Sequence, residues 1–276
     1  MNHLREWAMP HLLCPGCAHG IVLRALFDAV DRLELDPDLV ALVAGIGCSS
    51  RLAGYADFCT LHTTHGRAPA FATGLKLARP ELSVLIITGD GDGLAIGGNH
   101  LIHAARRNLD LTCLLFDNGI YGMTGGQQAP TTPEGAYAST APEGSVEPPF
   151  DACALMQAAG ATFVGRAFTY NAVELPGLLE EAIAHRGFSF VELISDCPVY
   201  FGRYNGLGEG PEMLAGMNLQ NGPIASALAA KAFVPALGGR APSHGMPTGV
   251  LHRSDRPEYG ARARGLAVVG GSDGQG

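Results

Sequence analysis

An apolar, β-branched run, Leu82-Ser83-Val84-Leu85-Ile86-Ile87-Thr88, leads straight into the turn Gly89-Asp90-Gly91-Asp92-Gly93, and this junction constrains the fold more than any other part of the chain. Such a run, with no polar alternation, predicts a strand buried on both faces, as in a parallel sheet covered by helices. Asp90 then stands at its carboxyl end. A second run, Leu111-Thr112-Cys113-Leu114-Leu115-Phe116-Asp117, predicts another such strand, and Asn118 leaves it 28 residues after Asp90. In open α/β sheets ligands bind at that edge. Asp90, Asn118 and the Ile120 carbonyl form an oxygen set suited to Mg²⁺, which takes a compact octahedron of carboxylate, amide, carbonyl and phosphate oxygens. The flanking glycines let the backbone approach phosphates closely.

The strand-turn-helix order repeats along the chain. Apolar spacing predicts a helix over residues 17–33, a short strand over 39–44, and helices over 67–79, stopped by Pro80, and 96–107. Residues 128–149 have no period, are rich in Pro, Thr, Gly and Ala, and read as a long loop, a lid or partner-facing segment directly after the phosphate-facing glycine turn and Asn118 loop. Helix, strand, helix and strand follow over 151–159, 161–166, 172–185 and 188–194. The expectation is an α/β fold with a doubly wound, mostly parallel sheet. Residues 1–205 make one domain and 206–276 a Gly/Pro-rich extension, with a short helix at 224–233 and a mobile end at 270–276.

With 47% hydrophobic and 16% charged residues in a chain of 276, a covered sheet is affordable and a disordered protein is excluded. A net charge of −8 and only two lysines, Lys76 and Lys231, argue against nucleic acid. No apolar stretch approaches the ~18 residues of a membrane span, and no signal-like start is present, so a cytoplasmic location is expected.

Seven cysteines in such a chain do not suggest a disulfide framework. Cys14-Pro15-Gly16-Cys17 is a C-x-x-C turn, Cys48 follows a strand in a glycine loop, and Cys197 follows the last strand. These positions can meet at one sheet edge. Four thiolates suit Zn²⁺ or a 4Fe-4S cluster equally, and spacing alone leaves both open, together with a redox or unliganded C-x-x-C. Cys59, Cys113 and Cys153 read as small core residues.

Gly89-Asp90-Gly91 followed by Asn118 resembles the signature of thiamine-diphosphate enzymes. With Gly45-Ile46-Gly47-Cys48-Ser49-Ser50-Arg51, His65-Gly66-Arg67 and Asn118-Gly119-Ile120-Tyr121-Gly122-Met123-Thr124-Gly125-Gly126-Gln127, the chain resembles the beta subunit of 2-oxoacid:ferredoxin oxidoreductases. The 48–51 loop and residues 200–205 look most like the 2-oxoglutarate branch. This resemblance implies thiamine diphosphate, Mg²⁺ on Asp90, Asn118 and Ile120, and a 4Fe-4S cluster on Cys14, Cys17, Cys48 and Cys197. It places Gly47, Cys48, His65, Gly89, Asp90, Gly91, Asp92, Asn118, Ile120, Gly122, Met123 and Thr124 against the cofactors. Arg51 would grip the 2-oxoacid carboxylate, for which a guanidinium fork is well shaped. His65, at a helix start, would meet cofactor or substrate.

The implied reaction is oxidative decarboxylation of a 2-oxoacid to acyl-CoA and CO₂, with electrons passed through the cluster to ferredoxin. The carboxylate that thiamine enzymes need at the aminopyrimidine has no room here, so an alpha subunit is expected. Two alternatives stand beside this reading. A non-oxidative thiamine-diphosphate decarboxylase or synthase half would leave the cysteines idle, and a non-catalytic assembly protein with zinc on its four cysteines would leave the Mg²⁺ motif idle.

Overall fold

A computed structural model of the chain describes residues 3–221 and 246–263. The strands are β1 (Val40–Ala44), β2 (Cys59–His62), β3 (Ser83–Gly89), β4 (Leu111–Asp117), the short hairpin β5 (Ile120–Tyr121) and β6 (Gln127–Gln128), then β7 (Phe163–Phe168), β8 (Phe188–Ile194) and β9 (Gly249–Arg253). The helices are α1 (His19–Arg32), α2 (Ala68–Ala78), α3 (Gly98–Arg107), α4 (Ala152–Ala159), α5 (Leu175–Ala184) and α6 (Gly210–Asn221). One sheet runs β2-β1-β3-β4-β8-β7-β9, parallel throughout except where β9 pairs antiparallel with β7.

Alternating side chains fill two cores. Leu42, Leu85, Ile87, Leu114 and Phe116 face α1 and α5, while Val43, Val84, Ile86, Cys113 and Leu115 face the layer of α2, α3 and α4. Burial on both faces is what the unbroken apolar runs require, since strand side chains alternate between faces. Helix ends follow local chemistry. Arg79, which precedes Pro80, leaves the helical region and ends α2. Asp151 caps α4 through Ala154 N–H at 3.0 Å, and Gly160 closes it in the left-handed region.

The doubly wound, mostly parallel sheet agrees with expectation, and β4 and β8 have the expected bounds. Among the described residues five strands and helices were not foreseen: β2, β5 and β6 of the hairpin, α6 and β9. β9 and α6 lie within residues 206–276, and β9 extends the main sheet at the β7 edge. The helix expected at 224–233 and the end at 270–276 lie outside the described residues. Residues 129–150 are irregular, as expected, yet packed. Ala136, Ala138 and Ala141 are buried with Ile120, Phe201 and Met213, and backbone bonds at 2.7–2.8 Å tie Ser145 to Gly135 and Ala136 across the turn. Small side chains there allow close packing without regular structure. Among the described residues no helix is long and apolar enough to cross a membrane.

Candidate functional site

From β1 the chain moves outward to β2, and from β3 it crosses to β4 on the other side, so the carboxyl ends of β1 and β3 flank a topological switch point. Ligand crevices form there because the departing loops diverge. A cleft opens at this place, lined by the loops after β1, β3 and β4. All twelve residues expected against the cofactors line it, and His19, Phe116 and Tyr121 join them.

Asp90 is buried at the start of a π-helical turn, Gly91–Ile96. One carboxylate oxygen accepts Gly91 N–H at 2.7 Å and the other accepts the Thr131 hydroxyl at 2.9 Å. Asp117 lies against it, an arrangement the sequence did not suggest. Burial raises Asp90 above the usual carboxylate range, and burial together with Asp90 raises Asp117 well above it. Two acids in a dry place need a cation to be ionised together. The donor set therefore fits a divalent ion, with Asn118 on the same wall. A Cβ on Gly91 would lie 2.3 Å from the Tyr121 ring, so only glycine lets this turn pass beneath that tyrosine, whose hydroxyl donates to the Gly91 carbonyl at 2.9 Å.

Asp92 faces the other way. Its oxygens accept from Thr88 at 2.6 Å, Gly66 N–H at 2.7 Å and Ile46 N–H at 3.1 Å, and the same carboxylate meets His65 Nδ1. A Cβ on Gly45 would lie 1.9 Å from this carboxylate, which explains that glycine. Asp92 thus ties the loops after β1 and β2 to the glycine turn. A carboxylate at Nδ1 orients the His65 ring and leaves Nε2 for the cleft.

Cys48 lines the cleft, and Cys14, Cys17 and Cys197 lie close enough to it and to one another to interact electrostatically. A Cβ on Gly122 would meet Cys197 Sγ at 3.3 Å and Cys48 Sγ at 3.6 Å, so this glycine leaves the sulfurs their space. Among the described residues no three His, Cys, Asp or Glu side chains close on a common metal-holding point. The sulfurs are gathered, not drawn to one centre. Burial, with neighbouring sulfurs adding, pushes Cys17 and Cys48 up to about 11. Backbone N–H groups of His19 on Cys17, and of Phe201 and Tyr200 on Cys197, favour the thiolates. Four gathered sulfurs with backbone donors are a donor set that Zn²⁺ or an iron-sulfur cluster would accept. Cys113 and Cys153 are buried apart, as expected, whereas Cys59 is exposed on β2, so the core expectation fails there because β2 is an edge strand.

Ala18, between Cys17 and His19, has φ 60°, a left-handed conformation costly for any residue with a Cβ. Ala18→Gly is expected to stabilise the chain by about 0.5–1 kcal/mol, read as a higher urea midpoint. The His19 ring is 1% exposed, packs edge-on against Phe116 at 5.1 Å, and has neither nitrogen hydrogen-bonded among the described residues. Burial pushes its pKa down to about 4, so the ring is neutral.

Arg51 does not line this cleft. It leaves the far side of the 3-10 turn Ser49–Gly54 and opens on a second cavity with His62, Tyr55 and Trp7. Arg67 is occupied, donating to the Ile96 carbonyl at 3.3 Å and meeting His100 Nε2 at 2.8 Å. Thr124 lines the cleft, and its hydroxyl donates to Gln127. Sequence reasoning missed Asp117, Thr131 and His19; only His19, two residues past the C-x-x-C turn, carried a positional hint.

Known proteins similar to this chain bear on this arrangement. A family described as thiamine pyrophosphate enzyme, C-terminal TPP binding domain, matches residues 45–193. The 2-oxoglutarate synthase subunit KorB of Methanothermobacter thermautotrophicus is 52% identical over 214 residues, covering 78% of this chain and 75% of that protein. The 2-oxoglutarate oxidoreductase subunit KorB of Mycobacterium tuberculosis is 48% identical over 187 residues, 68% of this chain and 50% of that protein. The fold superposes with a TM-score of 0.84 at 35% identity on the 2-oxoglutarate:ferredoxin oxidoreductase from Magnetococcus marinus, solved with 2-oxoglutarate, coenzyme A and succinyl-CoA bound, covering 98% of this chain and 90% of that one.

Proposed function

Because the chain belongs to the thiamine-pyrophosphate-binding beta subunits of the 2-oxoglutarate:ferredoxin oxidoreductases, we propose that its cleft holds thiamine diphosphate on Mg²⁺ beside a 4Fe-4S cluster. The chain is a subunit of an oxidoreductase that oxidatively decarboxylates 2-oxoglutarate with coenzyme A. The observation that carries the site assignment is the gathering of Asp90, Asn118 and Cys48 on one cleft at the sheet's switch point, with the other three cysteines close to Cys48.

Asp90, Asn118 and the Ile120 carbonyl would hold Mg²⁺, and Cys14, Cys17, Cys48 and Cys197 the cluster. Gly89 and Gly91 bring backbone close to the diphosphate, with Gly47, Gly122, Met123 and Thr124 completing the wall. Bound thiamine diphosphate supplies the electron sink that decarboxylation of a 2-oxoacid requires. His65, oriented by Asp92, offers Nε2 as a proton donor or acceptor at the cleft. Arg51, which opens on the second cavity, would meet a carboxylate of the 2-oxoacid from that side. An alpha subunit would supply the carboxylate needed at the aminopyrimidine, and a cluster on the four cysteines would offer ferredoxin its electron path.

The test is anaerobic assay of the complex with its alpha subunit. Reduction of ferredoxin or a viologen dye that requires both 2-oxoglutarate and coenzyme A is the expected result. A colourless complex that reduces neither would overturn the reading. Arg51→Met should raise the KM for 2-oxoglutarate about ten- to a hundredfold with cofactor content unchanged, the scale of one hydrogen bond to a charged group. Arg51→Lys, which keeps the charge without the fork, should be milder. Unaltered kinetics would return Arg51 to a surface role.

A further inference from the structure

The cleft that the proposed function assigns to a diphosphate has no lysine or arginine among its described lining residues. The doubly ionised end of such a ligand must then be met by a metal, by backbone N–H groups and by few neutral donors. Several of those donors are already committed. The Tyr121 hydroxyl serves the Gly91 carbonyl, the Thr124 hydroxyl serves Gln127, and His65 Nδ1 is held by Asp92. His19 is not committed: both ring nitrogens are buried, without a hydrogen-bond partner among the described residues, and on the cleft wall.

Its placement is specific. His19 is the first residue of α1, a helix of 14 residues, so the positive end of the helix dipole opens at the same wall. Its backbone N–H is spent on the Cys17 side, bonding the Cys17 carbonyl at 2.8 Å and turned to the Cys17 sulfur, which leaves only the ring for the cleft. The ring stands edge-on to Phe116, two residues before Asn118, and so beside the strand end that carries the proposed Mg²⁺ ligand. A buried imidazole with both nitrogens unpaired is costly, and the cost is recovered when a ligand oxygen arrives.

Resting on the thiamine-diphosphate reading, we propose that His19 is a further cofactor-binding residue whose ring N–H donates a hydrogen bond to a phosphate oxygen of the diphosphate at the α1 N-terminus. The experiment uses the complex with its alpha subunit, stripped of cofactor, with Mg²⁺ present, and measures binding of thiamine diphosphate and of unphosphorylated thiamine by equilibrium dialysis. His19→Phe keeps the aromatic packing on Phe116 and removes the donor. It is expected to weaken thiamine diphosphate about ten- to a hundredfold, the range for a hydrogen bond to a charged group, and thiamine by less than about twofold. Iron content should be unchanged, and His19→Gln should recover part of the loss. Thiamine diphosphate affinity within twofold of the parent, or an equal loss for thiamine, would overturn the proposal. Should His19→Phe fail to assemble, His19→Gln is compared with His19→Met, similar in size but without a donor, and equal affinities would overturn it. If the parent complex itself retains no thiamine diphosphate, the cofactor reading fails, and the assignment of His19 with it.

Discussion

Asp90→Asn is expected to abolish Mg²⁺-dependent retention of thiamine diphosphate while making the cofactor-free fold more stable. The two effects have opposite signs because one carboxylate serves both. Asp90 and Asp117 lie against each other, each raised by burial, and Asp117 further by Asp90. Folding therefore carries the cost of crowding two acids into a dry place, which a divalent cation offsets only when bound. An asparagine keeps its oxygen for Gly91 N–H, and its amide N–H groups donate to the Thr131 hydroxyl oxygen and to Asp117. The expected gain is about 1–2 kcal/mol in the metal-free chain, the scale on which replacing buried charge by neutral groups stabilises proteins. Urea unfolding with and without Mg²⁺ and thiamine diphosphate checks both halves. The parent should gain stability from the ligands and the variant should not. Near-normal cofactor binding by Asp90→Asn, or by Asn118→Ala, would sink the Mg²⁺ assignment.

Cys197→Ala should cost the protein its cluster iron and its broad visible absorption, since a tetrad cannot hold a four-iron cluster on three thiolates without a substitute ligand. Cys197 is the informative member. It follows β8, far in sequence from the C-x-x-C turn, yet its sulfur shares the space over Gly122 with Cys48. Cys153→Ala is the control, because that thiol lies in the other core and bonds Glu192. It should retain full iron, with at most a modest fall in stability from a small cavity. Full iron in Cys197→Ala, or equal loss in both variants, would refute the ligand set.

Much of this architecture is written locally. Residues 83–89 and 111–117 are strands because their apolar runs leave no polar face for water, and α2 stops where Pro80 forbids another turn. The glycine turn and Asn118 mark one sheet edge because parallel strands deliver their carboxyl ends to the same side. The cysteine set was legible for the same reason, since each member follows a turn or strand end. What the chain could not disclose depends on partners distant in sequence. β2 and β9 are short edge strands whose place depends on the neighbours they pair with. Asp117 reads as the last residue of a strand until packing sets it against Asp90, and Thr131 as part of a featureless loop until its hydroxyl reaches the same carboxylate. Asp92 reads only as one more acid of the glycine turn until the close approach of Gly45 and His65 shows that it also ties loops together. Arg51 is three residues from Cys48, yet the 3-10 turn carries it to a different cavity. Spacing along a chain settles which residues reach an edge, because backbone geometry is local. Only the packed loops decide which way each side chain faces, because that choice is made by burial, hydrogen bonds and charge between segments far apart in sequence.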